Sequence, residues 1–90
     1  AHYNIVLLSV PEGDDKVLKY PVMFRQADLV VITKADTLGF FDFDVEKVKN
    51  EARKLKPYLP IILLDNRSKK GLDELSSWIQ EKHMEHLKGV

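Results

Sequence analysis

Leu29-Val30-Val31-Ile32 is an unbroken run of large apolar residues, three of them β-branched. Such a run leaves no polar side for water, so it reads as a strand buried on both faces, as in a parallel sheet. Parallel neighbours cannot be joined by a tight hairpin and need crossover connections. The rest of the chain supplies them. Asn4 to Val10 is a second, almost continuously apolar strand, ended by Pro11, which offers no ladder N–H. Pro60-Ile61-Ile62-Leu63-Leu64 is a third. Between the first two lies an irregular helical stretch, Lys16 to Phe24, with Pro21 suited to a helix first turn. Leu18, Val22, Met23 and Ala27 are expected to cover a sheet face there.

Between the second and third strands, Val45, Val48, Ala52 and Leu55 share one helical face opposite Glu46, Lys47, Lys49, Glu51 and Lys54. Asp42 or Asp44 can cap that helix, and Pro57 stops it. Phe40, Phe41 and Phe43, in the loop before it, are expected to pack beneath that loop. A last helix is expected from about Leu72 to Leu87, with Leu72, Leu75, Trp78 and Ile79 inward. The order β-α-β-α-β-α defines an α/β class: a three-stranded parallel sheet with right-handed crossovers and flanking helices.

The 90 residues suffice for one domain or part of one. Formal net charge is zero, which speaks against a nucleic-acid or anionic-membrane surface as the main task, since both need a basic field. There is no cysteine, which excludes disulfides and thiolate metal sites and is compatible with a reducing cytoplasm. No apolar stretch approaches the roughly 20 residues of a membrane span. Residues 1–3 precede the first strand and are read as a truncation remnant, the domain portion running over 4–88.

The central strand ends in Thr33-Lys34-Ala35-Asp36. Open α/β sheets bind ligands at the carboxyl ends of their strands. A hydroxyl, a cation and a carboxylate at this place fit the fourth guanine-recognition motif of GTPases, Asn/Thr-Lys-x-Asp. In that motif the carboxylate accepts hydrogen bonds from guanine N1 and N2, a donor pair that adenine lacks. The lysine stem lies along the flat base. The bland reading is a solvated Lys and an Asp opening a turn; the preceding buried strand favours the motif. The polar loop from Asp65 to Gly71 falls on the same sheet edge.

Asn4 to Phe24 closely resembles the hydrogenase nickel-incorporation GTPase family (HypB), which carries a Thr/Pro-Glu-Gly-Asp-Asp-Lys-x-Leu-Lys-Tyr-Pro signature at Pro11 to Pro21. Ala27 to Asp36, then Phe43-Asp44 opening a helix and Lys56-Pro57 closing it, agree as well. The resemblance implies the C-terminal part of a P-loop NTPase (Rossmann-like, three-layer) G domain. It further implies a GTPase that binds GTP or GDP with Mg²⁺, helps deliver nickel to hydrogenase or urease, forms a nucleotide-dependent homodimer and works with other nickel-maturation factors in the cytoplasm. Thr33, Lys34 and Asp36 fall on the base motif, Thr33 replacing the commoner Asn. The fifth motif, usually Ser-Ala-Lys, falls on Asp65-Asn66-Arg67, a departure in which the Asn66 backbone N–H can still serve guanine O6 and Arg67 can stack.

No Gly-x4-Gly-Lys-Ser/Thr occurs in the chain, no switch aspartate for Mg²⁺ can be assigned, and the family's Cys/His metal site has no counterpart. We therefore expect a fragment without catalytic or metal residues, inactive by itself and binding guanine nucleotide weakly if at all. A stand-alone interaction module without nucleotide, and part of a related metallochaperone GTPase for another metal, are the alternatives.

His83 and His86, at i and i+3, read as solvated surface rather than a metal pair. Asp14 and Asp15 read as a turn rather than metal or base carboxylates. Lys16 and Lys19 are offered as contacts to the nucleotide edge or a dimer partner. In the chain as given, strand 4–10 should present an open apolar edge.

Overall fold

The computed structural model describes residues 3–65 and 71–88, those from 85 onward without side chains. It contains β1 (Ile5–Ser9), α1 (Lys16–Lys19), α2 (Pro21–Arg25), β2 (Leu29–Thr33), α3 (Val45–Leu55), β3 (Ile61–Leu63) and α4 (Leu72–Lys88). Short 3₁₀ turns, Val10–Glu12 and Ala35–Thr37, follow β1 and β2. The sheet order is β1-β2-β3, and both pairings are parallel. Ile5 stands opposite Leu29, Ser9 opposite Thr33, and Ile32 opposite Leu63.

β2 is the middle strand, and Leu29 to Ile32 are each at most 1% exposed. Its alternation splits the core in two. Val30 and Ile32 join Val6, Leu8, Val17, Phe24, Val48 and Ala52 on one face. Leu29 and Val31 join Ile62, Leu75 and Trp78 on the other. In a sheet of order 1-2-3, right-handed crossovers place both connections on the same side. That is why α1, α2 and α3 share the first face, while α4 packs on the second. Tyr3 adds an edge-to-face contact with Trp78, ring centres 5.8 Å apart.

Three expectations of side-chain burial need correction. Ala27 is buried as expected, but Leu18, Val22 and Met23 are exposed, and Val17 and Phe24 are buried instead. Pro21 disfavours helical geometry at Tyr20, whose φ is −130°. The stretch breaks into two one-turn helices, so no single stripe runs through it. On α4, Leu75 and Trp78 reach the sheet, but Leu72 and Ile79 stay at least 40% exposed. Of the three phenylalanines, Phe43 is buried, whereas Phe40 is 83% exposed and Phe41 is exposed too. Leu38 and Phe43 anchor the loop's ends, and residues 39–42 project between them.

Polar ties fix the layers at both edges of the sheet. At the amino edge, Asp28 accepts from the Asn4 N–H at 2.8 Å, and Asn4 Nδ2 donates to the Gln26 carbonyl at 3.0 Å. Lys56 Nζ donates to the Ala27 carbonyl and lies 3.8 Å from Asp28. At the carboxyl edge, Asp44 caps α3 by accepting the Lys47 N–H at 3.1 Å. Asp14, in the turn after β1, accepts the Asp44 N–H at 2.7 Å and lies 3.4 Å from Lys47 Nζ. The Asp44 N–H holds the Asp14 carboxyl below the ordinary Asp value of 3.8, burial opposes it, and Lys47 adds to the lowering.

A carboxyl lowered in the folded chain stabilises it above its unfolded value, and the gain is lost as pH falls through the folded value. Asp14→Ala should therefore cost about 1 kcal/mol at pH 7. The difference from the unchanged chain should shrink below roughly pH 4. Urea unfolding at neutral and acid pH measures it, and a pH-independent difference would contradict the tie. Among the described residues, β1 has β2 on one side and no strand on the other. Leu7 is 67% exposed and Ile5 is exposed beside it, while residues 3–9 carry no charge. Uncharged apolar edges pair with one another. Sedimentation should show association rising with concentration, and Leu7→Lys should return the chain toward monomer; a monomer throughout would refute this.

Candidate functional site: the turns at the carboxyl ends of the strands

The parallel sheet brings three turns together at one edge. After β2 the chain does not continue straight. Lys34 takes a left-handed conformation, φ 58° and ψ 37°, and leads into the Ala35–Thr37 turn. That region is unfavourable for a residue with a Cβ, by roughly 1–2 kcal/mol. Local bonds hold it. The Lys34 carbonyl accepts from the Thr37 N–H at 2.9 Å and from the Thr37 hydroxyl at 2.6 Å. The Ala35 N–H donates to the Leu64 carbonyl at 3.0 Å, and the Leu64 N–H donates to the Ile32 carbonyl at 2.8 Å. The turn is thus stitched to the end of β3, immediately before Asp65.

The structure therefore brings Thr33, Lys34, Asp36 and Asp65 to one edge. Thr33, Asp36 and Asp65 are half-buried, and Lys34 is exposed. Asn66 and Arg67 lie outside the described residues, as do Lys69 and Lys70. Gly71 brings the chain back against β3 at φ 91°, where a Cβ would collide with the Leu63 carbonyl.

On the other side stands the turn after β1, close to the turn after β2. Glu12 folds its carboxylate back on Ser9. Its Oε2 accepts the Ser9 hydroxyl at 2.7 Å and the Ser9 N–H at 2.8 Å, and the Gly13 N–H closes the turn on the Val10 carbonyl at 3.1 Å. The Ser9 hydroxyl and then its N–H lower the Glu12 carboxyl below the usual carboxylate range, burial opposes them, and the Lys16 and Lys34 charges add to the lowering. The Ser9–Glu12 pair was not among the residues singled out above. The Ser-x-x-Glu spacing of a capping box was the signal that could have found it.

The remaining candidates sit apart from that edge pair. Lys19 lies 3.1 Å from Asp15, one helical turn away, and the Lys19 ammonium lowers the Asp15 carboxyl. Lys16 Nζ stands 5.4 Å from the centre of the Tyr20 ring. The carboxylates of the acidic turn 12–15 are thus engaged within the chain: Glu12 with Ser9, Asp14 with Asp44 and Lys47, Asp15 with Lys19. His83 is exposed on α4, and the side chain of His86 lies outside the described residues. Among the described residues no group of three His, Cys, Asp or Glu side chains is placed to hold a metal ion, and no helix is long and apolar enough to cross a membrane.

No family model matches the chain. Individual proteins do. The hydrogenase/urease maturation factor HypB of Helicobacter pylori strain J99 is 52% identical over all 90 residues, which span 37% of that protein. The hydrogenase maturation factor HypB of Escherichia coli K12 is 42% identical over 78 residues, 87% of this chain and 27% of that protein. Among solved structures, HypB from Helicobacter pylori in complex with nickel superposes with a TM-score of 0.89 at 52% identity, over 96% of this chain and 40% of that one. HypB from Archaeoglobus fulgidus gives a TM-score of 0.82 at 40% identity, over 88% of this chain and 42% of that one. The chain thus spans well under half the length of the relatives it matches. By sequence and by fold it is homologous over its full length to the HypB hydrogenase/urease maturation factors, corresponding to one stretch of them.

Proposed function

We propose that this chain is the guanine-recognition portion of a GTP-binding maturation factor that helps supply nickel to hydrogenase, or to urease. The observation that carries the reading is the Thr33–Asp36 turn, stitched to the end of β3 so that Asp36 and Asp65 share one edge. The chemistry is a choice between bases. The Asp36 carboxylate accepts from guanine N1 and N2, while adenine presents an acceptor and no donor pair there. A charged acceptor left without donors loses about 1–3 kcal/mol, enough to discriminate. The Lys34 stem covers a face of the base. The resemblance assigns the rest of the base site to Asp65-Asn66-Arg67, of which Asn66 and Arg67 lie outside the described residues.

The phosphates, Mg²⁺ and nickel are assigned to parts of the longer relatives that this chain does not span. Cysteine is missing from the chain, and among the described residues no three ligand side chains converge. GTP hydrolysis, a nucleotide-dependent homodimer, contact with other nickel-maturation factors and a cytoplasmic setting belong to the same proposal for the whole protein. Residues 4–88 are then the C-terminal portion of its G domain. By itself the chain reads the base weakly and hydrolyses nothing, because most of a nucleotide's binding surface is phosphate and sugar.

Titration of the ¹⁵N-labelled chain with GDP to millimolar concentration should move the amides of Thr33–Asp36 and Asp65–Arg67, and ADP should not. Asp36→Asn replaces one acceptor with a donor. It should weaken GDP by about tenfold and favour xanthosine diphosphate, which offers a donor beside an acceptor. Equal responses to GDP and ADP would refute base reading. No response to either would favour an interaction module without nucleotide.

A further inference from the structure

We infer that Thr37 is a positioning residue for base recognition: its hydroxyl locks the Lys34–Ala35 peptide unit, and with it the directions in which Lys34 and Asp36 leave the turn. The inference rests on the guanine reading above and adds to it a residue just outside the recognition motif.

A peptide unit is planar, so the Lys34 carbonyl and the Ala35 N–H belong to one rigid plate. Both edges of that plate are held. The Ala35 N–H donates to the Leu64 carbonyl at 3.0 Å, which ties it to the end of β3. On the opposite edge the Lys34 carbonyl takes two donors from Thr37, the N–H at 2.9 Å and the hydroxyl at 2.6 Å. Holding the plate fixes ψ of Lys34 on one side and φ of Ala35 on the other. The first governs how the Lys34 residue sits at the strand end. The second governs the course of the chain into Asp36.

The clamp has an unfavourable residue to hold. Lys34 stands at φ 58° and ψ 37°, a conformation that a Cβ disfavours, and neither glycine nor asparagine is there to ease it. The Leu64 bond alone pins one edge and leaves the plate free to pivot. The Thr37 N–H would be present whatever residue stood at 37, proline excepted. The hydroxyl is the part of the clamp that depends on the side chain. It sits on a half-buried, β-branched residue with few rotamers, so it is presented to the carbonyl at small entropic cost. A hydroxyl that only closed a surface turn would change stability and leave the choice of base untouched.

That difference is the test. Thr37→Val keeps the branched shape and the N–H and removes the hydroxyl, whereas Thr37→Ser keeps the hydroxyl. The strong Hα–HN NOE within Lys34 that a left-handed residue gives should weaken in Thr37→Val and persist in Thr37→Ser. Thr37→Val should bind GDP about two- to tenfold more weakly, the range for one lost neutral hydrogen bond, and Thr37→Ser should recover most of it. The gap between GDP and inosine diphosphate should narrow in Thr37→Val, because inosine lacks the N2 donor and loses less when Asp36 is displaced. Affinities are compared without denaturant, with urea unfolding to show that each chain is folded there; Thr37→Ala takes the place of a valine variant that does not fold. An unchanged gap between the two nucleotides, a serine variant as weak as the valine one, or an undisturbed Lys34 NOE in Thr37→Val would overturn the inference while leaving the base reading intact. Absence of any GDP response in the unchanged chain would overturn the base reading, and the positioning role with it.

Discussion

The burial of β2 on both faces is the constraint from which the rest follows. Leu29 to Ile32 offer no side to water, so each face needs a cover. One strand must also lie on each flank, because the middle strand's backbone groups need partners on both sides. β1 and β3 supply the flanks, and the crossovers cover one face. α4 covers the other over β2 and β3, through Leu75 and Trp78. Once the strands are parallel, their carboxyl ends share one edge. The turns after β1 and β2, and Asp65 after β3, are neighbours because of core packing, not because of attraction between them.

Polar groups then decide the shape of that edge. The three carboxylates in the turn after β1 take different partners: Glu12 takes Ser9, Asp15 takes Lys19, and Asp14 takes Asp44 and Lys47. The contributions are unequal. Asp15–Lys19 is an exposed pair, screened by water, and contributes little. Asp14 joins two elements 30 residues apart through a backbone N–H that α3 would otherwise leave open, so it fixes a loop to a helix. The Ala35–Leu64 bond does the same between β2 and β3. The left-handed Lys34 persists because bonds on both sides over-determine it.

Most of this architecture was legible in the residues. The apolar runs at 5–9, 29–33 and 61–63 identify their strands because a fully buried strand needs no alternation to be recognised. Spacing put Val48 and Ala52 on the inner face of α3 and left Asp42 or Asp44 as its cap, and Asp44 is the one that serves. The misses share a cause. Leu18, Val22 and Met23 were placed inward within a stretch read as irregular, but the break at Tyr20 turns Val17 and Phe24 to the core instead. Phe40 and Phe41 were placed inward because large apolar residues usually are, but loop anchors at Leu38 and Phe43 leave the tip outside. Thr33, Lys34 and Asp36 were singled out because their spacing fits a base-reading motif, and the structure places them together at the carboxyl end of β2. Ser9 with Glu12 carried a visible spacing too, hidden by reading Pro11 only as the end of a strand. The left-handed turn at Lys34 had no local signal, since neither Gly nor Asn marks it.

Separating base reading from phosphate binding has a physical consequence for such a chain. In the reading proposed above, Thr33, Lys34 and Asp36 would choose the base, and they sit on a short turn tied to the strand ends. On that reading, selectivity would need only this part of the fold. Affinity does not follow from it, because association loses translational and rotational freedom that a few base contacts recover only in part. A site of this kind discriminates before it binds tightly. The preorganisation of the edge, by Thr37 on Lys34 and by Leu64 on Ala35, then matters more than the number of contacts. Each side chain already held in place is one whose ordering does not have to be drawn from a small binding energy.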